Sequence, residues 1–476
     1  MKSQCITKPT PDRLDFEAHF GRRVEGAFDG GAISSDGGAL LLREVEQRFG
    51  LIRRFATCFT DSRNPDLIEF PLETLLAQRV FGLALGYEDL NDHDALRHDP
   101  LLALACGRQD LCGERRREER DRGVPLAGKS TLNRLEDSGG KAARQSRRYH
   151  RIAAHPEQID ALLLNLFVES FETPPAELVL DLDATDDPLH GAQEGRFFHG
   201  YYDAYCYLPL YIFCGEQLLC ARLRTSDRDG ADGAQEEVER IVAHLRQAWP
   251  GVRILLRGDS GFCRENLMAW CEASGVDYLF GLAQNARLKQ VLATLMRWAR
   301  GRFQFTGQAQ RLFHEFTYRT KDSWGRARRV VGKAEYLDGG ENPRFVVTSL
   351  PRSAWPAQQL YEELYCARGE MENRIKEQQL MLFADRTSTQ RLKSNQLRLY
   401  LSSLAYVLLQ TLRRVALSGT DWARAQCATI REKLLKVGVR LSVSVRRVRL
   451  SYSECYPYAA QFRQVLMRLQ KIPLRG

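Results

Sequence analysis

The sequence predicts an α/β core, preceded by a helical segment and followed by a basic one, and three observations carry that prediction. Two apolar runs, Leu178-Val-Leu-Asp-Leu-Asp183 and Val252-Arg-Ile-Leu-Leu-Arg-Gly258, have the length and residue types of buried strands. The first closes on Asp183 and the second leads directly into Asp259. From about Gln235 onwards, apolar runs alternate with segments of helical period, the pattern of strands and crossover helices. The character of the chain also changes at Thr173-Pro-Pro175, from mainly helical to mainly strand-forming.

Before that change, Ser34-Ser-Asp-Gly-Gly38 precedes a helical run from Ala39 to Phe49, which Gly50 stops. Pro71 opens a second run, Leu72 to Leu85, closed by Gly86. Glu114 to Arg122 is nearly all charged and reads as an exposed helix or loop. Asp137-Ser-Gly-Gly140 breaks the chain before a last helix through Ile159 to Val168. Residues 1–170 are therefore expected to form a helical N-terminal domain.

The core begins with a strand from Leu178 to Ala184. After a link rich in Gly and aromatics, Tyr205 to Phe213 and Leu218 to Leu223 read as a hairpin, with Pro209 implying an edge or a bulge. A helix from Gln235 to Trp249, a strand from Val252 to Leu256, a helix from Arg264 to Ser274 and a strand from Val276 to Leu282 complete residues 171–299. The order β-β-β-α-β-α-β is that of an RNase H-like core. Residues 300–350 are expected to be a β-rich insertion, with strands at Phe303 to Phe305, Leu312 to Tyr318, Arg328 to Tyr336 and Arg344 to Leu350. Residues 351–386 return to the core as a helix from Ala357 to Leu382, and 387–476 form a mostly helical basic region, including a helical run from Gln390 to Ala416.

The chain carries a formal net charge of +9, unevenly spread. From Thr387 to Gly476 there are 17 Lys and Arg against three acids, leaving the rest slightly acidic. A basic segment on an acidic body is a footprint for a polyanion, or simply a solvated basic surface. No apolar run approaches the roughly 18 residues needed to span a bilayer. Met1-Lys-Ser-Gln-Cys-Ile6 lacks the apolar centre of a signal peptide, so a cytoplasmic protein is expected. Pairs such as Cys106/Cys112 and Cys214/Cys220 lack zinc-ligand spacing.

The chemistry concentrates on acids. Asp181 and Asp183 alternate with Leu180 and Leu182, so both carboxylates and Thr185 share one face of the first strand. Asp259 lies in Arg257-Gly-Asp-Ser-Gly-Phe262, where two glycines permit a tight turn; alone, it reads first as a turn or capping Asp, and its combination with Asp183 and the downstream helix is what points to a site. Tyr365, Arg368, Glu372, Lys376 and Gln379 are spaced to share one helical face, which is polar where a packed helix would be apolar. The alternative, that Arg368/Glu372 and Glu372/Lys376 are simply surface ion pairs, is the weaker reading. Buried strands ending in carboxylates are costly without a cation between them, and two Mg²⁺ ions suit all-oxygen ligands.

These residues resemble DDE-type bacterial insertion-sequence transposases with a Y-R-E-K signature, and among them the insertion-sequence thirteen-eighty type, DDE transposase group 1. The resemblance runs through Ser34-Ser-Asp-Gly-Gly-Ala-Leu-Leu-Leu-Arg43, Leu132-Asn-Arg-Leu-Glu136 and Asp203-Ala-Tyr-Cys-Tyr-Leu-Pro209. It continues in Arg257-Gly-Asp-Ser-Gly-Phe262 and Tyr365-Cys-Ala-Arg-Gly-Glu-Met-Glu-Asn-Arg-Ile-Lys-Glu377. The family's D-x-T selects Asp183 over Asp181, its D-x-G-F matches Asp259 and its Y-x2-R-x3-E ends on Glu372. One departure is Gln379, which stands where the signature has Lys; Lys376 matches a second basic position.

The resemblance implies a transposase that binds the terminal inverted repeats of its element and performs cut-and-paste strand cleavage and transfer, with a hairpin intermediate as one route. Asp183, Asp259 and Glu372 would hold two Mg²⁺ ions, for which Mn²⁺ can substitute, with Asp181 a further candidate ligand. Tyr365, Arg368 and Lys376 would contact DNA phosphates. Trp324 would stack on a flipped base, unless it anchors the insertion. Partners would be double-stranded DNA and a second copy in a homodimer on paired ends, at the nucleoid, with no membrane. The helical N-terminal domain, helped by the basic C-terminal region, is favoured as the reader of the ends. The competing readings are an RNase H-like nuclease without strand transfer and an inactive DNA-binding descendant. Gly123-Val-Pro-Leu-Ala-Gly-Lys129-Ser130 spells a Walker A pattern, but the charged stretch before it cannot be the required strand, so no ATP is expected and Ser130 reads as a helix cap.

Overall fold

Strand-forming runs in the middle of the chain gather into one mixed sheet. The computed structural model describes residues 13–137 and 151–475, so the predicted break at Asp137-Ser-Gly-Gly140 lies, after Asp137, outside the described residues, as does Met1–Ile6. The chain divides into two compact units: Met1–Gly50, Pro65–Leu132 and Leu412–Gly476 in one, Leu51–Asn64 and Asn133–Thr411 in the other. The first fifty residues and the end of the chain thus share a unit, cutting across the segmentation at 170 and 387 expected from sequence. No helix among the described residues is long and apolar enough to cross a membrane.

In the first unit, helices Ala39–Phe49 and Leu72–Leu85 end at Gly50 (φ 61°) and Gly86 (φ 94°), the left-handed stops the sequence announces. The unit is not all helical. Leu14–His19 and Arg22–Gly26 form a hairpin, and Ala32–Ser34 joins Val439–Val443 and Val448–Tyr452 in a three-stranded sheet. Ser34-Ser-Asp-Gly-Gly38 is what lets the two ends of the chain meet: Gly37 and Gly38 donate backbone hydrogen bonds to Val437 (2.9 Å) and Leu435 (3.0 Å). A Cβ on Gly38 would lie 2.3 Å from the Leu434 carbonyl oxygen, so only glycine fits there. The Walker-like stretch is spent structurally. Lys129 opens the helix Lys129–Glu136 and pairs with Asp94 at 3.1 Å, which puts Ser130 inside the helix rather than at its cap.

In the second unit, the strands are β1 (Glu177–Ala184), β2 (Phe197–His199), β3 (Ala204–Tyr207), β4 (Leu210–Cys214), β5 (Gln217–Arg222), β6 (Arg253–Gly258), β7 (Asp277–Leu282), β8 (Gln310–Tyr318), β9 (Arg328–Leu337) and β10 (Arg344–Thr348). The main sheet runs β5-β4-β1-β6-β7-β10-β9-β8, with Gly340–Glu341 paired to β9. β1, β6 and β7 are parallel; β4 is antiparallel to β1, and β10 to β7. Helices α1 (Pro156–Val168), α2 (Ala234–Ala248), α3 (Glu265–Ser274) and α4 (Ala286–Thr306) accompany it.

Alternation along the strands sorts side chains between two cores. Leu178, Leu180 and Leu182 of β1 pack with Val238, Leu245, Met268 and Leu292. The opposite face gathers Leu255, Leu279 and Val346 with Leu360 and Leu364 of the helical run near the catalytic candidates. Each fully buried Leu here is worth roughly 2 kcal/mol, so register on this sheet is strongly held.

Three sequence expectations change. The strand expected from Tyr205 to Phe213 is split at Leu208-Pro209: β3 joins β2 and Asp187–Pro188 in a small separate sheet, and β4 joins the main one. Pro209, with no N–H to give, marks the switch. Phe303 to Phe305 is the end of α4 and not a strand, because Leu288, Leu292, Met296 and Ala299 continue a helical buried stripe until Gly307 (φ 67°) stops it. The remaining strands of 300–350 extend the same sheet through β10 on β7, where an inserted block had been expected.

Candidate active site

The face of the sheet that carries Leu255 also carries Arg257, and β1 matches it in parallel register, Arg257 beside Asp181 and Gly258 beside Leu182. One residue further, β6 ends and Asp259 leaves the sheet beside Asp183. Asp259 then caps the turn Ser260–Phe262, accepting the Gly261 N–H at 2.8 Å.

Across this face lies the helical run Ala357–Met381. It is not one regular α-helix. Wide π turns at Leu360–Tyr365 and Glu377–Met381 flank a tight turn at Cys366–Arg368 and the α-helix Gly369–Lys376. Such departures often mark functional sites, and here they adjust the face that the ideal period would align. Leu360, Tyr361 and Leu364 fix the run to the sheet. Arg257 reinforces them, donating to the Leu364 carbonyl while its other nitrogens grip Asp181 at 2.5 and 2.8 Å. Burial pushes the Asp181 carboxyl up and Arg257 pulls it down, the net direction being upward. Asp181 is thus committed to a buried, bidentate pair.

Asp183 stands differently. Its carboxylate accepts from Arg368 at 3.2 Å and from the Ala184 N–H at 3.0 Å. The same guanidinium donates to Glu372 at 3.1 Å, so Arg368 bridges the first and third acids. Burial raises the Asp183 pKa to about 6; Arg368 opposes the rise, while the charges of Asp259 and Glu372 add to it. For Arg368, burial works to lower the pKa, but Asp183, Tyr365, Glu372 and Asp259 outweigh it and the net shift is upward. Asp183 and Glu372 therefore share one cation, and Asp183 also feels the charge of Asp259. That cation is an arginine, and among the described residues no three His, Cys, Asp or Glu side chains converge closely enough to hold a metal ion.

Tyr365 comes to this centre through a residue the sequence reading did not single out. A Cβ on Gly281, in β7, would lie 2.7 Å from the Tyr365 hydroxyl, 2.9 Å from Ser260 N and 3.1 Å from the Asp259 carbonyl carbon. A glycine inside an otherwise apolar strand is the signal that could have found it.

Lys376 is exposed, one turn beyond Glu372, and makes no ion pair with a described residue. Gln379 is engaged elsewhere. Its amide donates to the Asp187 carboxylate at 2.9 Å and the Asp186 carbonyl at 3.0 Å, tying the run to the segment just after β1. Asp187 is fully buried, and burial holds its carboxyl well above the usual range. Trp324 is 5% exposed, lies in the core against Tyr318 with ring centroids 5.8 Å apart, and has Arg328 over its ring; it offers no open stacking face.

The family described as transposase DDE domain group 1 matches residues 16–474, nearly the whole chain. Among solved structures, the chain is similar to a piggyBac transposase, seen in a synaptic complex with hairpin DNA. The identity is 12% and the TM-score 0.40, over 83% of this chain and 78% of that one. A comparison with curated proteins finds no match.

Proposed function

The chain belongs to the transposase DDE domain group 1 family, and from that premise we propose that it cleaves and joins DNA strands at Asp183, Asp259 and Glu372, as a transposase of the insertion-sequence thirteen-eighty type. The observation that carries this reading is the Arg368 bridge between Asp183 and Glu372, with Asp259 brought alongside by strand register. The order β5-β4-β1-β6-β7, with β4 antiparallel, supports an RNase H-like core.

The donor chemistry fits the proposed cofactor. Asp183 and Asp259 at the sheet end and Glu372 on the facing helix are all-oxygen donors of the kind a hard divalent cation takes, and drawn together in place of their Arg368 contacts they would hold Mg²⁺, or Mn²⁺ in its place. Such ions, when bound, supply a nucleophile at neutral pH and stabilise a leaving oxygen. The chain's own residues do the rest. Arg368, already poised among the acids, would meet an incoming phosphate, with Tyr365 beside it and Lys376 at the rim. Water would attack the phosphorus as the bond to the 3′ oxygen breaks, leaving a 3′-OH and a 5′-phosphate; that 3′-OH would then attack a target phosphodiester in the same pocket, giving up its proton and joining the phosphorus as the target strand's own 3′ oxygen leaves as a hydroxyl. Gln379 is not given a phosphate role, because its amide is spent on Asp187.

The test is incubation with DNA carrying the element's two ends and Mg²⁺, with products mapped on each strand. Cleavage and joining are expected, and Asp183→Asn, Asp259→Asn or Glu372→Gln should each lower the cleavage rate roughly 10³-fold or more while end binding persists. Cleavage without joining of pre-cut ends would favour a nuclease. Full activity in any one variant would remove that residue from the site.

A further inference from the structure

Beyond β1 and the short strand Asp187–Pro188, the chain builds a small aromatic hairpin, several of whose rings face solvent. β2 and β3 pair with Phe198 opposite Tyr205, and the connection Gly200-Tyr-Tyr-Asp203 turns through Asp203 at φ 51°. Phe197, Phe198, Tyr201 and Tyr205 are between 42% and 85% exposed. Leaving so much of four large rings in water forgoes part of the stabilisation that burying them would bring. A cluster of that kind marks a binding surface more often than chance exposure does.

The hairpin is anchored and not a loose flap. The Tyr207 hydroxyl donates to the Glu194 carbonyl at 2.5 Å, and Cys206 and Tyr207 are fully buried. It is also tied to the acidic centre. The Tyr202 hydroxyl lies 3.4 Å from the carbonyl oxygen of Ala184, the neighbour of Asp183, and the negative charges of Asp186 and Asp183 help burial to raise the Tyr202 pKa. Tyr201 packs edge-on against Tyr202 with centroids 5.0 Å apart, so the exposed ring at the tip is one ring away from the site. The chemistry is mixed in a particular way. Arg196 lies 3.7 Å over one face of the Tyr205 ring and Phe198 meets that ring edge-on at 5.5 Å, so the pair presents a guanidinium next to the exposed rings of Phe198 and Tyr201. Aromatic faces accept bases of any sequence, and a neighbouring arginine adds stacking and phosphate contact.

We propose that Phe198, Tyr201 and Tyr205, with Arg196, form a stacking platform for unpaired nucleobases next to the phosphodiester bound at Asp183, a part the buried Trp324 cannot play. This rests on the reading of the acidic centre as a DNA strand-cleavage site. It adds that the substrate is engaged with bases out of the duplex beside the reacting phosphate.

The test uses two probes of equal duplex length, one blunt and one with a short single-stranded thymidine tail, in fluorescence anisotropy, plus a fluorescent adenine analogue in the tail. The wild type should bind the tailed probe about tenfold more tightly, and quench the analogue, as one or two stacked bases would require. In Phe198→Ala/Tyr201→Ala the ratio of tailed to blunt affinity should fall toward one, whereas Phe198→Trp and Tyr201→Trp should keep it. No tail preference in the wild type, or a preference that survives the double alanine change, overturns the proposal. Strand cleavage is scored separately: cleavage intact with no tail preference strikes the platform alone, and tail preference with no cleavage strikes the enzymatic reading.

Discussion

Asp181 and Asp183 stand two residues apart on the same face of one strand, yet they meet opposite fates. Asp181 is closed off in the sheet, held at both oxygens by Arg257 and matched to a single partner. Asp183 lies one step further out, shares Arg368 with Glu372, and feels Asp259 as well, so one cation stands against more than one acid. The inner pair is saturated and serves to lock the helical run onto the sheet through Leu364. The outer group has negative charge in surplus, at the end of the sheet where a ligand can enter. On the proposed reading, a site that is to receive a cation and a phosphate would be left incomplete in this way, with the saturated pair beneath it supplying the rigidity.

Breaking the inner pair should have the largest effect. Asp181→Ala strands the Arg257 guanidinium in the core and should cost about 3–5 kcal/mol of stability, read as a fall in the urea midpoint. Replacing both partners together, Asp181→Leu with Arg257→Met, should recover much of that loss. An Asp181→Ala protein as stable as the parent would show that the pair is not what holds the helical run.

The outer group should respond in the opposite direction. The Asp183 pKa is raised from its ordinary 3.8 to about 6 in the fold. Between those values the folded protein holds more proton than the unfolded chain, so this group's contribution to stability falls as pH rises from about 4 to about 6. Asp183→Asn, which keeps an acceptor for Arg368, should therefore stabilise the protein in chelator by about 1–2 kcal/mol at pH 7 and by little at pH 4. Urea melts at the two pH values check this; an equal gain at both would sink the assignment.

The smallest effect belongs to the rim. Lys376→Ala should weaken DNA binding severalfold and lower the salt slope of the affinity by about one, with no change in melting temperature. A loss of stability instead would give Lys376 a structural role.

Much of this arrangement is legible in the sequence because it rests on local rules. Helices stopped by Gly50 and Gly86, and apolar runs ending at Asp183 and Asp259, follow from side-chain period and glycine chemistry. So do strands such as Arg328–Leu337. Elements whose placement depends on distant partners were not legible. Tyr205 to Phe213 looks like one strand until Pro209 is seen to move the chain between sheets. Phe303 to Phe305 alternates like a strand, yet the buried stripe of α4 carries it as helix. Trp324 suits a stacking role by residue type and is withdrawn from it by packing against Tyr318.

By itself, then, the sequence determined the kinds of element and the acids that end them, because period, capping and turn chemistry act within a few residues. The division of labour between Asp181 and Asp183, the loss of Gln379 to Asp187, and the approach of Tyr365 over Gly281 were decided only by tertiary structure. Each depends on which side chain lies across the gap, and a one-dimensional pattern does not contain that distance.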